Sequence, residues 1–197
     1  MNIEIILQYA QYLGIEDRPS EWDKSSDTES WRWACEIRDK QHRALMMEMV
    51  LLTKVIDSLI GVKEEEGVPA EMLGLFEEQQ WPQLIVEFQP CMRIIEFKFN
   101  TMKQHKNLAE TGLGVAVEEA PGHWLLYNKD ANLMIRRLNP MDNQIISELK
   151  GAADMSHVVQ ETGIAHDTLK TKLVEWMNEG LIIDIGVPIP EGAEYAE

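Results

Sequence analysis

Apolar residues recur at helical spacing from residue 3 to 13, and Gly14 is placed to end that helix. The polar stretch IEDRPSEWDKSS (15–26) predicts a loop. Ser26-Asp27-Thr28-Glu29 has capping-box spacing, which predicts one long helix from there to Ile60, closed by Gly61. Along its second half Leu45, Met49, Leu52, Ile56 and Leu59 follow a 4-3-4-3 spacing, a strip that faces a partner helix. KEEEG (63–67) reads as a solvated break, and VPAEMLGLFEEQQ as a short helix with Pro69 near its start. In WPQLIVEFQPCMRIIEFKFNTMKQH, Phe88, Met92, Ile95, Phe99 and Met102 form one helical stripe. That predicts a helix kinked or restarted at Pro90.

The pattern changes after the Gly- and Pro-containing segment 107–122, which sets an expected domain boundary near 115. HWLLYNKD and NLMIRRLN read as two strands around a Lys129–Asn132 turn. Asn139 is an N-cap candidate with Pro140 at the first helical position, and Gly151 closes that helix. Asp154 can cap MSHVVQETG, the stretch 161–182 supplies, after a turn, a third helix that closes at Gly180, and LIIDIGV is a last strand. The expected fold is α+β. It comprises a helical domain (1–115), a winged-helix-like domain of order β-β-α-α-α-β (116–188) and a tail (189–197).

A helix-turn-helix pattern ordinarily points to DNA, but 34 acidic residues stand against 18 basic ones, for a net charge of −16. Phosphate affinity comes mainly from Lys and Arg, and the charge excludes nucleic acid and anionic membrane as favoured partners. The third helix turns Leu169, Leu173, Trp176 and Met177 inward. Its outer face carries Asp167, Thr171, Glu175, Asn178 and Glu179, with Lys170 and Lys172 on the flanks. An acidic winged-helix transcriptional regulator is the alternative function, and it needs Arg136, Arg137, Lys170 and Lys172 gathered into one surface. Phosphate-loop, nucleophile-elbow and zinc-helix motifs are absent, and Cys35 and Cys91 lack ligand spacing. A helical enzyme would need His42, Glu48 and His105 to converge. No apolar run approaches the ~20 residues of a membrane span, and the first residues lack signal-peptide features, so a cytoplasmic chain is expected.

A small sheet with an open edge can take an extended peptide as an added strand. The expected edges are Trp124–Asn128, with Leu126, and Ile182–Val187, with Ile183 and Ile185. Arg136 and Arg137 offer the one basic pair for an acidic peptide side chain, and a groove beside Leu169 and Leu173 would set register. In the helical half, Trp31, Arg38, His42 and Met46 are the candidate residues for docking a protein partner, helped by the 45–59 strip.

The span WLLYNKDANLMIRRLNPMDNQIISELKGAADM, followed by LVEWMNEGLI, resembles the C-terminal domain of partner subunits of iron-dependent barrel oxygenases in ribosomal-peptide modification. The shared features are a strand pair, a Leu-x-Pro lead into a helix, an Asp-Asn helix start, an exit at Gly151 and a Leu-x-x-Trp-x-x-x-Gly-Leu-Ile ending. Length and two-part layout are most similar to the MbnC family of methanobactin biosynthesis. The resemblance implies a non-catalytic subunit without a cofactor of its own, forming a heterodimer with an MbnB-type oxygenase that carries iron. It further implies that the C-terminal domain holds the leader of a precursor peptide. The cysteines of that peptide become oxazolone and thioamide groups in a copper-binding product.

Overall fold

The computed structural model describes residues 3–15 and 27–188. The protein is mixed α+β with small antiparallel sheets. Its elements are α1 (Ile3–Tyr12), α2 (Asp27–Glu36), α3 (Lys40–Leu59), β1 (Ile85–Phe88), β2 (Arg93–Phe99), α4 (Thr101–Thr111), β3 (Glu119–Lys129), β4 (Asn132–Leu138), α5 (Pro140–Lys150), α6 (Met155–Thr162), α7 (His166–Asn178) and β5 (Ile182–Gly186). Short 3-10 helices lie at Ala70–Leu75 and Trp81–Gln83. No helix among the described residues is long and apolar enough to cross a membrane.

The expected long helix is two. After α2 the chain breaks at Ile37–Asp39, and Asp39, in an extended conformation, caps α3 by accepting from the His42 N–H at 2.7 Å. The Arg43 guanidinium donates to the Ile37 carbonyl at 2.7 Å, which satisfies an acceptor that the break would strand. The Ser26 cap lies outside the described residues.

The expected helix across Pro90 is a larger correction. Residues 85–99 form two strands, followed by α4. Burial along β2 alternates, with Ile95, Phe97 and Phe99 buried and Glu96 and Lys98 exposed, the period of a strand. Pro90 occupies the second position of a turn closed by Met92 N–H to the Gln89 carbonyl at 3.1 Å, where its fixed φ is favourable. Gln89 is itself buried. Its side-chain amide donates to the Glu65 and Gly180 carbonyls, at 2.6 and 2.9 Å, and accepts from the Glu65 N–H.

The chain groups into two compact units that interleave in sequence, 1–62 with 93–126 and 135–137, and 63–92 with 127–134 and 138–197. They differ from the expected division at 115, because strands β1 and β2 and hairpin β3–β4 carry the chain from one unit to the other. The first unit's core joins α1, α2 and α3 through Ile6, Tyr9, Trp33, Leu45, Met46 and Met49. Within it β2 pairs antiparallel with β3, Arg93 opposite Leu126 through Phe97 opposite Gly122. In the second unit β1 pairs antiparallel with β5, and Leu169, Leu173, Trp176 and Met177 bury the inner face of α7 as expected.

The caps read from sequence are present. Asn139 accepts from the Asp142 N–H at 2.7 Å, and Asp154 from the His157 N–H at 2.8 Å, a bond that holds the Asp154 carboxyl below its usual range. Gly163 ends α6 in the left-handed region. Asn139→Ala removes the bond to Asp142 and should lower stability by about 1 kcal/mol in urea denaturation, with little effect of Asn139→Asp. An unchanged midpoint for the alanine variant would show that the cap contributes nothing.

Candidate functional site

Strand β4 is the outermost strand of the sheet β2-β3-β4. It follows β3 through the two-residue turn Asp130-Ala131, both at positive φ, 51° and 60°. Such a turn matches the twist of the strands it joins. In a two-residue hairpin the flanking residues, here Lys129 and Asn132, exchange both backbone bonds. Residues 132, 134 and 136 therefore face β3, and the N–H and C=O groups of Leu133, Ile135 and Arg137 point to the open side. Among the described residues no strand pairs there.

The side chains on this edge are apolar where an edge strand is ordinarily protected. Leu133, Met134 and Ile135 are 36%, 40% and 38% exposed, and β4 has no acidic residue, no lysine and no proline. The tip of the hairpin is tied down: Glu64 accepts from the Asp130 N–H at 2.9 Å, and Lys129 donates to the Asn178 carbonyl. Arg136 is half-buried and Arg137 exposed. The Arg137 guanidinium donates to the Pro121 carbonyl at 2.6 Å and crosses Gly122, where a Cβ would lie 2.8 Å from it. A glycine at 122 is what leaves that guanidinium room.

Several expected site residues are placed differently. Trp124 and Leu126 lie on β3, the central strand, so this segment is no edge; Trp124 is half-buried and Leu126 fully buried. Leu169 and Leu173 are core residues, 2% and 0% exposed, and line no open groove. The cleft that α7 does line, about 690 Å³, is formed by His166, Asp167 and Lys170 with Phe76, Trp81 and Pro82. There the Lys170 ammonium sits 4.3 Å from the Trp81 ring centre. Ile183 is half-buried and Ile185 buried on β5. That strand is an edge of the two-stranded sheet β1-β5, as expected, and its Ile182 carbonyl accepts from the Val68 N–H. The missed edge, β4, had a signal: Leu133-Met134-Ile135 breaks the apolar–polar alternation of a half-buried strand.

In the first unit Arg38 and His42 line one cleft of about 490 Å³ with Ile15, Trp33 and Glu36. Trp31 is 36% exposed, with the Lys54 ammonium 5.8 Å from its ring centre. Met46 is fully buried in the core of this unit and offers no docking surface. Four of the five residues in the 45–59 strip are also buried: Leu45, Met49, Leu52 and Leu59. α3 meets α1, α2, α4 and β2, so the strip finds its partners inside the chain.

Glu48, His42 and His105 do not form a ligand set, and no group of three or more His, Cys, Asp or Glu among the described residues is placed to hold a metal ion. The Glu48 carboxylate accepts from the Lys98 and Phe99 N–H groups, at 2.7 and 3.3 Å, and from the Thr101 hydroxyl. Burial keeps His105 below the usual histidine range. Lys172 is engaged by Glu175 at 3.0 Å and Asp142 at 3.3 Å, and the bond to Glu175, then the charge of Asp142, hold it above the usual lysine range. The outer face of α7 leaves Asp167 and Glu175 exposed, which opposes a phosphate backbone. No protein-family model matches the chain, and no curated protein matches it in sequence.

Proposed function

We propose that this chain is a non-catalytic adaptor that binds the leader of a ribosomally made precursor peptide as an added strand on β4 and presents the peptide to an iron-dependent barrel oxygenase. The observation that carries the peptide reading is the open edge of β4, with Leu133, Met134 and Ile135 exposed beside Arg136 and Arg137. Backbone bonds to Leu133, Ile135 and Arg137 supply affinity, and apolar side chains at alternate peptide positions supply register. The exposed Arg137 favours a carboxylate toward one end of the peptide strand. In this reading the order β3-β4-α5-α6-α7 is a winged-helix-like recognition module whose last strand, β5, pairs with β1 and not with the hairpin.

The oxygenase partner rests on the resemblance of 124–182 to the partner subunits of methanobactin biosynthesis. In that role the chain needs no cofactor, the iron belongs to the partner, and the cysteines of the peptide are what become oxazolone and thioamide groups. Trp31, Arg38 and His42 are the residues through which the helical unit would meet the oxygenase; Trp31 and Arg38 are exposed. The setting is the cytoplasm, where precursor peptides are made.

The test has two parts. Co-expression with the barrel oxygenase encoded beside it should give one heterodimer in size-exclusion chromatography, and two separate peaks at micromolar concentration would end the adaptor reading. Titration of 15N-labelled protein with the synthetic leader should shift the amides of 132–138 first. Shifts confined to β5 or to α7 would move the peptide site off β4.

A further inference from the structure

We infer that the β4 edge selects an incoming strand by the order of its residues: an acidic residue, then an apolar residue two positions further toward the C-terminus. Gly122 sets that selectivity by giving the Arg137 guanidinium its place. This specificity rests on the peptide reading of β4 and adds to it which strand is accepted. The backbone groups of Ile135 and Arg137 both point to the open side. A strand added antiparallel, the more stable pairing, therefore sets one of its residues directly opposite each. Directly opposite residues project from the same face of a sheet. Ile135, 38% exposed, offers its partner an apolar contact. In an antiparallel strand the residue opposite Arg137 comes two positions earlier.

Charge selects that earlier residue. The Arg137 guanidinium donates to the Pro121 carbonyl at 2.6 Å, and among the described residues no carboxylate pairs with it. One neutral acceptor uses part of a five-donor group and leaves its charge uncompensated. The bond to Pro121 thus aims the guanidinium without neutralising it. The aim depends on residue 122. The three nearest atoms to a Cβ built there are Nε, a terminal nitrogen and Cζ of Arg137, at 2.8, 3.0 and 3.3 Å. Gly122 is not in the left-handed region, so its backbone does not call for glycine; the guanidinium does. An alanine methyl would push aside the far end of one flexible side chain. Elsewhere along the strand an acid gains nothing, because the body of the chain carries −16. One position on, it would also project from the opposite face.

Three peptides of one composition, blocked at both ends, test the order. KTTETVTTK places Glu two residues before Val. KTTTEVTTK makes the two adjacent, and so on opposite faces. KTTVTETTK reverses them. Each is titrated to about 5 mM, the range of a weak strand contact, into the 15N-labelled full chain, with the amides of 133–137 as the readout. The first peptide should bind about threefold tighter than either of the others, the gain of one exposed charge pair. Gly122→Ala and Arg137→Gln should each bring that ratio to about one, with circular dichroism as the check on the fold. A glycine of merely structural importance would weaken all three peptides alike and leave the ratio standing, which overturns the role of Gly122. Equal affinities in the parent chain overturn the inference, as does tighter binding of the reversed order or the absence of shifts at 133–137 with every peptide. The synthetic leader, titrated in parallel, separates the two readings. If it shifts 132–138 while the three peptides do not differ, β4 remains the peptide site and only the order selectivity falls; if it leaves 132–138 unmoved, the peptide reading falls as well.

Discussion

Ile135→Pro should weaken leader binding by tenfold or more, about 1.4 kcal/mol, while the chain keeps its fold. Proline deletes the outward donor of Ile135, the middle one of the three that β4 offers to an incoming strand. The bonds that β4 makes to β3 use residues 132, 134 and 136, so the ladder behind it survives. Edge strands are where a sheet tolerates proline. A net hydrogen bond contributes about 0.5–1.5 kcal/mol, and the pyrrolidine ring adds a steric obstacle in the path of the peptide backbone. Isothermal titration with the leader measures the loss, and circular dichroism checks the fold. Ile183→Pro and Ile185→Pro provide the contrast, because β5 is the edge strand of the other sheet, β1-β5. If they weaken binding and Ile135→Pro does not, β4 is not the receiving edge. Arg137→Gln should have a smaller effect, since its guanidinium already donates to the Pro121 carbonyl.

The second half of the chain was legible because its signals are local. Asn139-Pro140, Asp154 and Gly163 fix their elements through bonds spanning four residues or fewer. The segment 85–99 was not, because two periods coincide in it. Phe88, Met92, Ile95, Phe99 and Met102 are all buried, as the helical stripe required. Yet Phe88 and Met92 flank a turn, while Ile95 and Phe99 share one face of a strand. The alternation Ile95-Glu96-Phe97-Lys98-Phe99 carried the strand period throughout. The helical strip on α3 poses a different problem. An apolar stripe records that something covers it, not whether that cover belongs to the same chain; α1, α2 and β2 supply it here. The β4 edge depends on strand order, a long-range property, and β2 on the far side of β3 is what makes Trp124 central and Ile135 outermost.

The opposite end of the same sheet yields the other large expected effect. Glu48→Ala should lower stability by about 2 kcal/mol, because it strands two backbone donors and a hydroxyl around one vanished carboxylate. Lys98 N–H and Phe99 N–H, at 2.7 and 3.3 Å, come from the end of β2, and Thr101 opens α4. Bonds from charged acceptors are the stronger kind, and these join α3 to a strand fifty residues away. The donor on Lys98 is exposed, so water recovers part of the loss, which keeps the expected cost below the sum of the separate bonds. The same carboxylate, after burial itself, helps hold the nearby Tyr9 phenol far above the ordinary tyrosine range. Glu48→Gln retains one acceptor oxygen but turns an amide donor toward groups that are donors already, so it should recover less than half of the loss. Urea denaturation followed by circular dichroism reads both variants. With a slope of about 2 kcal/mol/M, the alanine variant should move the midpoint by about 1 M. A shift within about 0.5 kcal/mol of wild type would show the bracket to be ornamental. If the leader binds β4 as proposed, its affinity under native conditions should be unchanged, because Glu48 acts on β2, on the far side of the central strand.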